Sequence, residues 1–175
     1  MITREKCEEA YEIVSKVARN TGLVESEYFS QLTGNKVFIK PENMQLTGAY
    51  KIRGAYYKIS QLSEEDREKG LVTASAGNHA QGVAYAAKLY GVKATIVMPT
   101  VTPLMKVNRT KSYGAEVILY GDVYDESCNY ALQLAEDQGS TFVHPFDDLQ
   151  KFDPEEYINA LFSDFDMNSD DESNE

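Results

Sequence analysis

Residues 71–98, LVTASAGNHAQGVAYAAKLYGVKATIVM, decide the fold. Leu71-Val72-Thr73-Ala74 is a short apolar run, the pattern of a strand covered on both faces. From His79 to Tyr90 the period changes. Ala80, Val83, Ala84, Ala87 and Tyr90 recur at helical spacing, and Gly91 stops the repeat. Ala94-Thr95-Ile96-Val97-Met98 is a second apolar run. A strand, a crossover helix and another strand in this order predict a right-handed parallel pair.

The alternation continues in both directions. Downstream, Thr102-Pro103 opens a helix with proline at its favoured first position, and Gly114 ends it. Residues 115–119 read as a strand, Asp122 as the cap of a helix ending at Gly139, and 141–143 as a last strand. Upstream, Ile52, Ala55, Tyr56, Ile59 and Leu62 predict a helix over 52–62. Ser63-Glu64-Glu65-Asp66 is a capping box for one more turn, closed by Gly70. Four short apolar strands alternating with helices predict an α/β unit at 48–147. Its fold is an open parallel sheet with helices on both faces. Before it, a helix over 3–18 stops at Thr21-Gly22, and a strand over 35–39 stops at Pro41. After Asp148 the pattern fails. Residues 154–163 suit one short helix, and 164–175 are low-complexity, acidic and expected to be largely disordered.

Charge excludes several function classes. The net charge of −11 is concentrated in the tail, where residues 151–175 hold one lysine and nine acids. The rest is near neutral, with 16 basic and 19 acidic residues, and offers no basic face for nucleic acid. No apolar run is long enough to span a membrane, and no apolar stretch follows Met1 to Lys6, so no secretory signal is expected. Cys7 and Cys128 show no framework spacing, which suits free thiols in a reducing cytosol. A cytoplasmic location is therefore expected. His79 and His144 belong to no Cys/His cluster, so no metal site is expected.

Two stretches carry chemistry. Ligands of open α/β sheets sit outside the carboxyl ends of the strands, and Ser75-Ala76-Gly77-Asn78-His79 lies there. Free N–H groups and the helix dipole make such a turn an anion site, and Gly77 admits a close ligand. Spacing alone equally allows Ser75 and Asn78 to be plain helix caps, the commoner case. Lys51 lies at a helix N-terminus, where the dipole disfavours a cation. That favours the neutral amine that attacks an aldehyde, although a solvated surface lysine fits the spacing too.

Taken together, the stretches are specific. Lys40-Pro41-Glu42-Asn43-Met44-Gln45, Thr47 to Ala55, Ala74 to Gly82, Val97-Met98-Pro99 with Lys106, Tyr113 to Val117 and His144 to Asp148 occur in order. Over about residues 25–149 the chain resembles the fold type II pyridoxal-phosphate enzymes, and within them the threonine dehydratases. The resemblance implies pyridoxal 5'-phosphate as cofactor and Lys51 as the catalytic Schiff-base lysine. It implies Asn78 on the phenolic oxygen of the cofactor ring. Ser75, Gly77, Asn78 and His79 would cradle the substrate carboxylate, with Thr47 and Gln81 as supporting neighbours. The implied reaction turns L-threonine or L-serine into a 2-oxo acid and ammonia. Related serine racemases usually place a serine at position 76 as a second base. Ala76 cannot move a proton, so dehydration is favoured over racemase-like chemistry.

The resemblance also divides the chain. Residues 1–47 would belong to a larger domain, 48–147 to the smaller α/β domain with the site, and 148–175 to a divergent tail. In the family, a glycine-rich loop beyond this point grips the cofactor phosphate. Residues 151–175 contain no glycine, so a truncated, weak or inactive enzyme is expected. The alternatives are serine racemase-like activity, or an inactive fragment that partners a full-length relative through the apolar residues of 1–47 and Tyr157–Phe162; a homo-oligomer is also an expected form. Asp164, Asp166, Asn168 and Glu175 match calcium-loop positions, but Ser169 stands where the turn glycine belongs.

Overall fold

The computed structural model describes residues 3–145. Helix α1 (Arg4–Val14) is capped by the Thr3 hydroxyl, which accepts the Lys6 N–H. It ends four residues short of the expected 3–18. Of its apolar face only Val14 is buried, so packing holds no further regular turn. Strand β1 (Val24–Glu25), helix α2 (Glu27–Thr33) and strand β2 (Phe38–Ile39) follow, with β1 and β2 antiparallel. The periodicity does not announce β1 or α2, because α2 buries none of its residues. Its ends are conventional: the Ser26 hydroxyl accepts the Phe29 N–H, and Gly34 closes it at φ 69°.

Helix α3 (Lys51–Ser60) begins at the lysine itself. Helix α4 (Glu64–Glu68) has the expected cap, with Ser63 Oγ accepting the Asp66 N–H at 3.0 Å. Then come β3 (Leu71–Ala74), α5 (Asn78–Tyr90), β4 (Ala94–Met98), α6 (Leu104–Ser112), β5 (Glu116–Leu119), α7 (Tyr124–Gln138) and β6 (Thr141–Phe142). The four strands form one parallel sheet in the order β5-β4-β3-β6.

Strands β3 and β4 lie at the centre and every residue in them is buried. Alternate side chains feed two cores. Leu71, Ala94, Ile96 and Met98 pack with Ile52, Ile59, Val83 and Val107 beneath α3, α5 and α6. Val72, Ala74 and Val97 pack with Ala131 and Ala135 of α7 on the opposite face. Each large apolar side chain so buried contributes about 2 kcal/mol. Helices therefore cover both faces, as the continuous apolar strands require.

Two expected caps differ. Pro103 stands just before α6 rather than as its first residue. Asp122 does not cap α7; Val123 holds that position. The Asp122 carboxylate instead accepts the Thr100 hydroxyl at 2.9 Å, and its N–H donates to Glu126 at 2.8 Å. Glu126 thus reaches back from the first turn to the N–H of the residue before the cap. The expected short helix at 154–163, the acidic tail and the calcium-loop positions lie outside the described residues.

Candidate functional site at the strand ends

Strand β3 runs directly into Ser75-Ala76-Gly77, and α5 starts at Asn78. Gly77 occupies the cap position, and no side chain caps the helix. Ser75 Oγ accepts the Gly77 N–H at 3.2 Å, inside the turn. The plain-cap alternative for Ser75 and Asn78 is therefore not what the turn contains. An N-terminus without a side-chain cap keeps its positive dipole end available to an anion. Among the described residues, a Cβ added at Gly77 would meet nothing within 4 Å, and this face of the turn is open to them.

Lys51 is the first residue of α3, which also lacks a side-chain cap. Its Nζ donates to the Pro145 carbonyl at 2.8 Å and lies 5.5 Å from the centroid of the exposed Tyr50 ring. Of the other tyrosines near it in sequence, Tyr56 packs against Tyr90 with ring centroids 4.7 Å apart. Gly82 brings the lysine helix to the turn helix. A Cβ there would lie 3.0 Å from the Lys51 carbonyl carbon, 3.1 Å from its oxygen and 3.2 Å from Ile52 N. Any larger residue would separate the first turns of α3 and α5.

The loop before Lys51 is held from both sides. Thr47 is buried and donates to the Ala49 carbonyl at 3.3 Å. Gly48 takes φ 76°, a left-handed conformation that favours glycine. Further back, Arg53 grips Glu42 through Nε at 2.7 Å and Nη2 at 2.9 Å. Thr21 and Gln45 also donate to Glu42, and Gln45 binds both backbone groups of Arg19. The Arg53 hydrogen bonds, helped by those of Thr21 and Gln45, hold the Glu42 carboxyl down at about 2. This network ties residues 19–21, the turn Glu42–Met44 and α3 together.

The His79 ring is directed to β3 and the segment after β6. Its Nε2 lies 3.1 Å from Thr73 Oγ1 and 3.2 Å from the Val143 carbonyl, inside the fold. What His79 presents to the turn is its backbone N–H. Sequence reasoning did not separate ring from backbone. It also missed Thr73, Gly82, Val143 and Pro145. The last two act through carbonyl oxygens, which leave no side-chain signal.

Gln81 Oε1 and Thr102 Oγ1 are buried without a hydrogen-bond partner among the described residues. They follow the carboxyl ends of β3 and β4, the two central strands. A buried polar atom left unpaired is costly, so orphans placed there suit a polar ligand at the strand ends. Open α/β sheets hold their ligands outside the carboxyl ends of the strands, and the Ser75–His79 turn follows the carboxyl end of β3.

Comparison with known proteins agrees. The family model for pyridoxal-phosphate dependent enzymes matches residues 14–160. The L-threonine ammonia-lyase of Thermotoga maritima is 51% identical over 148 residues, covering 85% of this chain and 37% of the relative. Processed threonine deaminase isoform 2 of Solanum lycopersicum superposes with a TM-score of 0.75 at 39% identity, over 84% of this chain and 42% of that one. Serine racemase of Dictyostelium discoideum gives 0.78 at 35% identity, over 85% and 48%. The chain belongs to the family of pyridoxal-phosphate dependent enzymes. Within it, the chain is similar to threonine ammonia-lyases and spans 37% to 41% of the length of the curated relatives it matches.

The residues present fit the family's cofactor. Among the described residues the turn at Gly77 is open, Lys51 supplies an amine, Asn78 a neutral amide, and the buried Gln81 Oε1 and Thr102 Oγ1 have no hydrogen-bond partner.

Proposed function

We propose that this chain supplies the lysine side of a pyridoxal-phosphate site for the dehydration and deamination of L-threonine or L-serine. The observation that carries the reading is the Gly82 crossing, which holds the Lys51 helix against the turn that starts α5. The threonine-processing relatives support the substrate class.

The roles follow from the chemistry of each group. Lys51 Nζ would bond the cofactor and take the substrate's α-proton. The Asn78 amide would hold the phenolic oxygen of the ring. The turn at Ser75, Gly77, Asn78 and His79 would hold the substrate carboxylate, His79 through its backbone N–H. When bound, pyridoxal phosphate supplies the electron sink that stabilises charge at the α-carbon. Ala76 brings no second base to the opposite face, which favours loss of the β-hydroxyl over racemisation. The reading keeps 48–147 as the site-bearing α/β domain and 1–47 as part of a second, larger one. Exposed Leu23, Val24, Leu32 and Phe38 in the first segment support that division.

Incubation with pyridoxal phosphate, borohydride reduction and peptide mapping test the reading. Lys51 is expected to carry the label selectively, and Lys51→Ala to lose it. Equal labelling of the remaining lysines, or an unchanged labelling yield in the variant, would overturn the assignment.

A further inference from the structure

The carbonyl groups just beyond β6 collect donors from three elements. Val143 O accepts the Thr73 hydroxyl of β3 at 2.6 Å and lies 3.2 Å from His79 Nε2 of α5. Pro145 O accepts Lys51 Nζ of α3. The chemistry of these atoms sets the proton positions. A carbonyl only accepts, so its bond with His79 places a proton on Nε2. The Thr73 hydrogen points at Val143, so its oxygen is left to accept from that same Nε2–H. Thr73, His79 and Val143 thus form a closed triangle, with Thr73 fully buried and His79 and Val143 largely so. It pins the first turn of α5 to β3 and to the segment after β6. Nothing in the reaction itself calls for it: the His79 ring is directed to β3 and the segment after β6, and Thr73 lies within the sheet.

We infer that Thr73 and the His79 ring are positioning residues. Their clasp on the Val143 carbonyl sets where the N–H groups of the Gly77–His79 turn stand relative to Lys51. The inference rests on the reading of that turn as a carboxylate cradle.

Thr73→Val removes the hydroxyl and keeps the shape; Thr73→Ser restores it. In the purified chain, nitrogen NMR of the His79 ring is expected to find the proton on Nε2. Loss of one buried hydrogen bond corresponds to about a tenfold change in a local equilibrium. Amide hydrogen exchange over Gln81–Ala84, the first N–H groups of α5 bonded to carbonyls of its opening turn, is therefore expected to quicken by about that factor in Thr73→Val, while β4 and α7 exchange at wild-type rates. Thr73→Ser is expected to match wild type. Unchanged exchange over Gln81–Ala84, or equal acceleration throughout the sheet, would overturn the inference. A second arm reads the cradle. In chain loaded with pyridoxal phosphate, the L-serine concentration that half-shifts the cofactor absorbance is expected to rise about tenfold in Thr73→Val, by the same equivalence. The L-serinamide value, from a ligand without a carboxylate, is expected to stay unchanged. If the wild-type chain does not distinguish serine from serinamide, the cradle reading fails, while the exchange arm still decides the clasp.

Discussion

At the scale of single residues, Gly82 sets the approach of the lysine helix to the turn helix. An added methyl would meet the Lys51 backbone at 3.0 and 3.1 Å, and neither atom belongs to a flexible side chain. Overpacking of this kind costs about 2 kcal/mol. Gly82→Ala is expected to lower the melting temperature, and to reduce trapping of pyridoxal phosphate on Lys51 more than the loss of stability explains. A folded variant with wild-type trapping would show that the crossing does not set the site. Lys51, Ser75, Gly77 and Asn78 were singled out through the family resemblance, since spacing alone allows a surface lysine and plain helix caps. Gly82 was not, since a glycine within a helix gives no sign of what crosses it.

At the scale of elements, the Glu42 network joins the segment before α3 to α3 itself. Glu42 falls from an ordinary 4.5 to about 2 because Arg53, then Thr21 and Gln45, donate to its charged form. A group held below its ordinary value stabilises the fold fully above that value. The contribution is lost as the pH falls through the folded one. Stability is therefore expected to decline between pH 4.5 and about 2. Glu42→Gln should lower stability at neutral pH by about 2 kcal/mol and flatten that decline, as urea melts at several pH values would register. A wild-type pH slope in the variant would remove Glu42 from the account. The four sheet strands, α3, α5, α6 and α7 were expected from apolar pattern and α4 from its capping box. β1 and α2 were not, because neither buries a residue and periodicity reports burial rather than hydrogen bonding.

At the scale of the molecule, the segment before α3 leaves several apolar side chains exposed. Val24 is 57% exposed, Leu32 69% and Phe38 48%, all in the segment before α3. Exposed apolar patches mark surfaces that associate. The isolated chain is expected to bind an apolar dye and to sediment faster as concentration rises. Leu32→Lys with Phe38→Lys should diminish both effects. A monomer at every concentration, with no dye binding, would show that this surface is tolerated by the chain alone.

The order of apolar runs, their periods and the glycines between them were enough to specify a parallel α/β sheet. Each of those features is local, and the crossover rule turns local order into topology. The same local signals placed Lys51 and the Asn78 turn at element ends, and the family resemblance gave them their proposed roles. Contacts between distant parts of the chain carried no such mark. Lys51 meets a carbonyl 94 positions away, and the His79 ring meets one 64 positions away. The direction of the His79 ring, the Gly82 crossing and the gathering of donors on the Val143 and Pro145 carbonyls depend on how helices lie across the sheet. They are consequences of packing, and backbone carbonyls are chemically alike at every position in the chain.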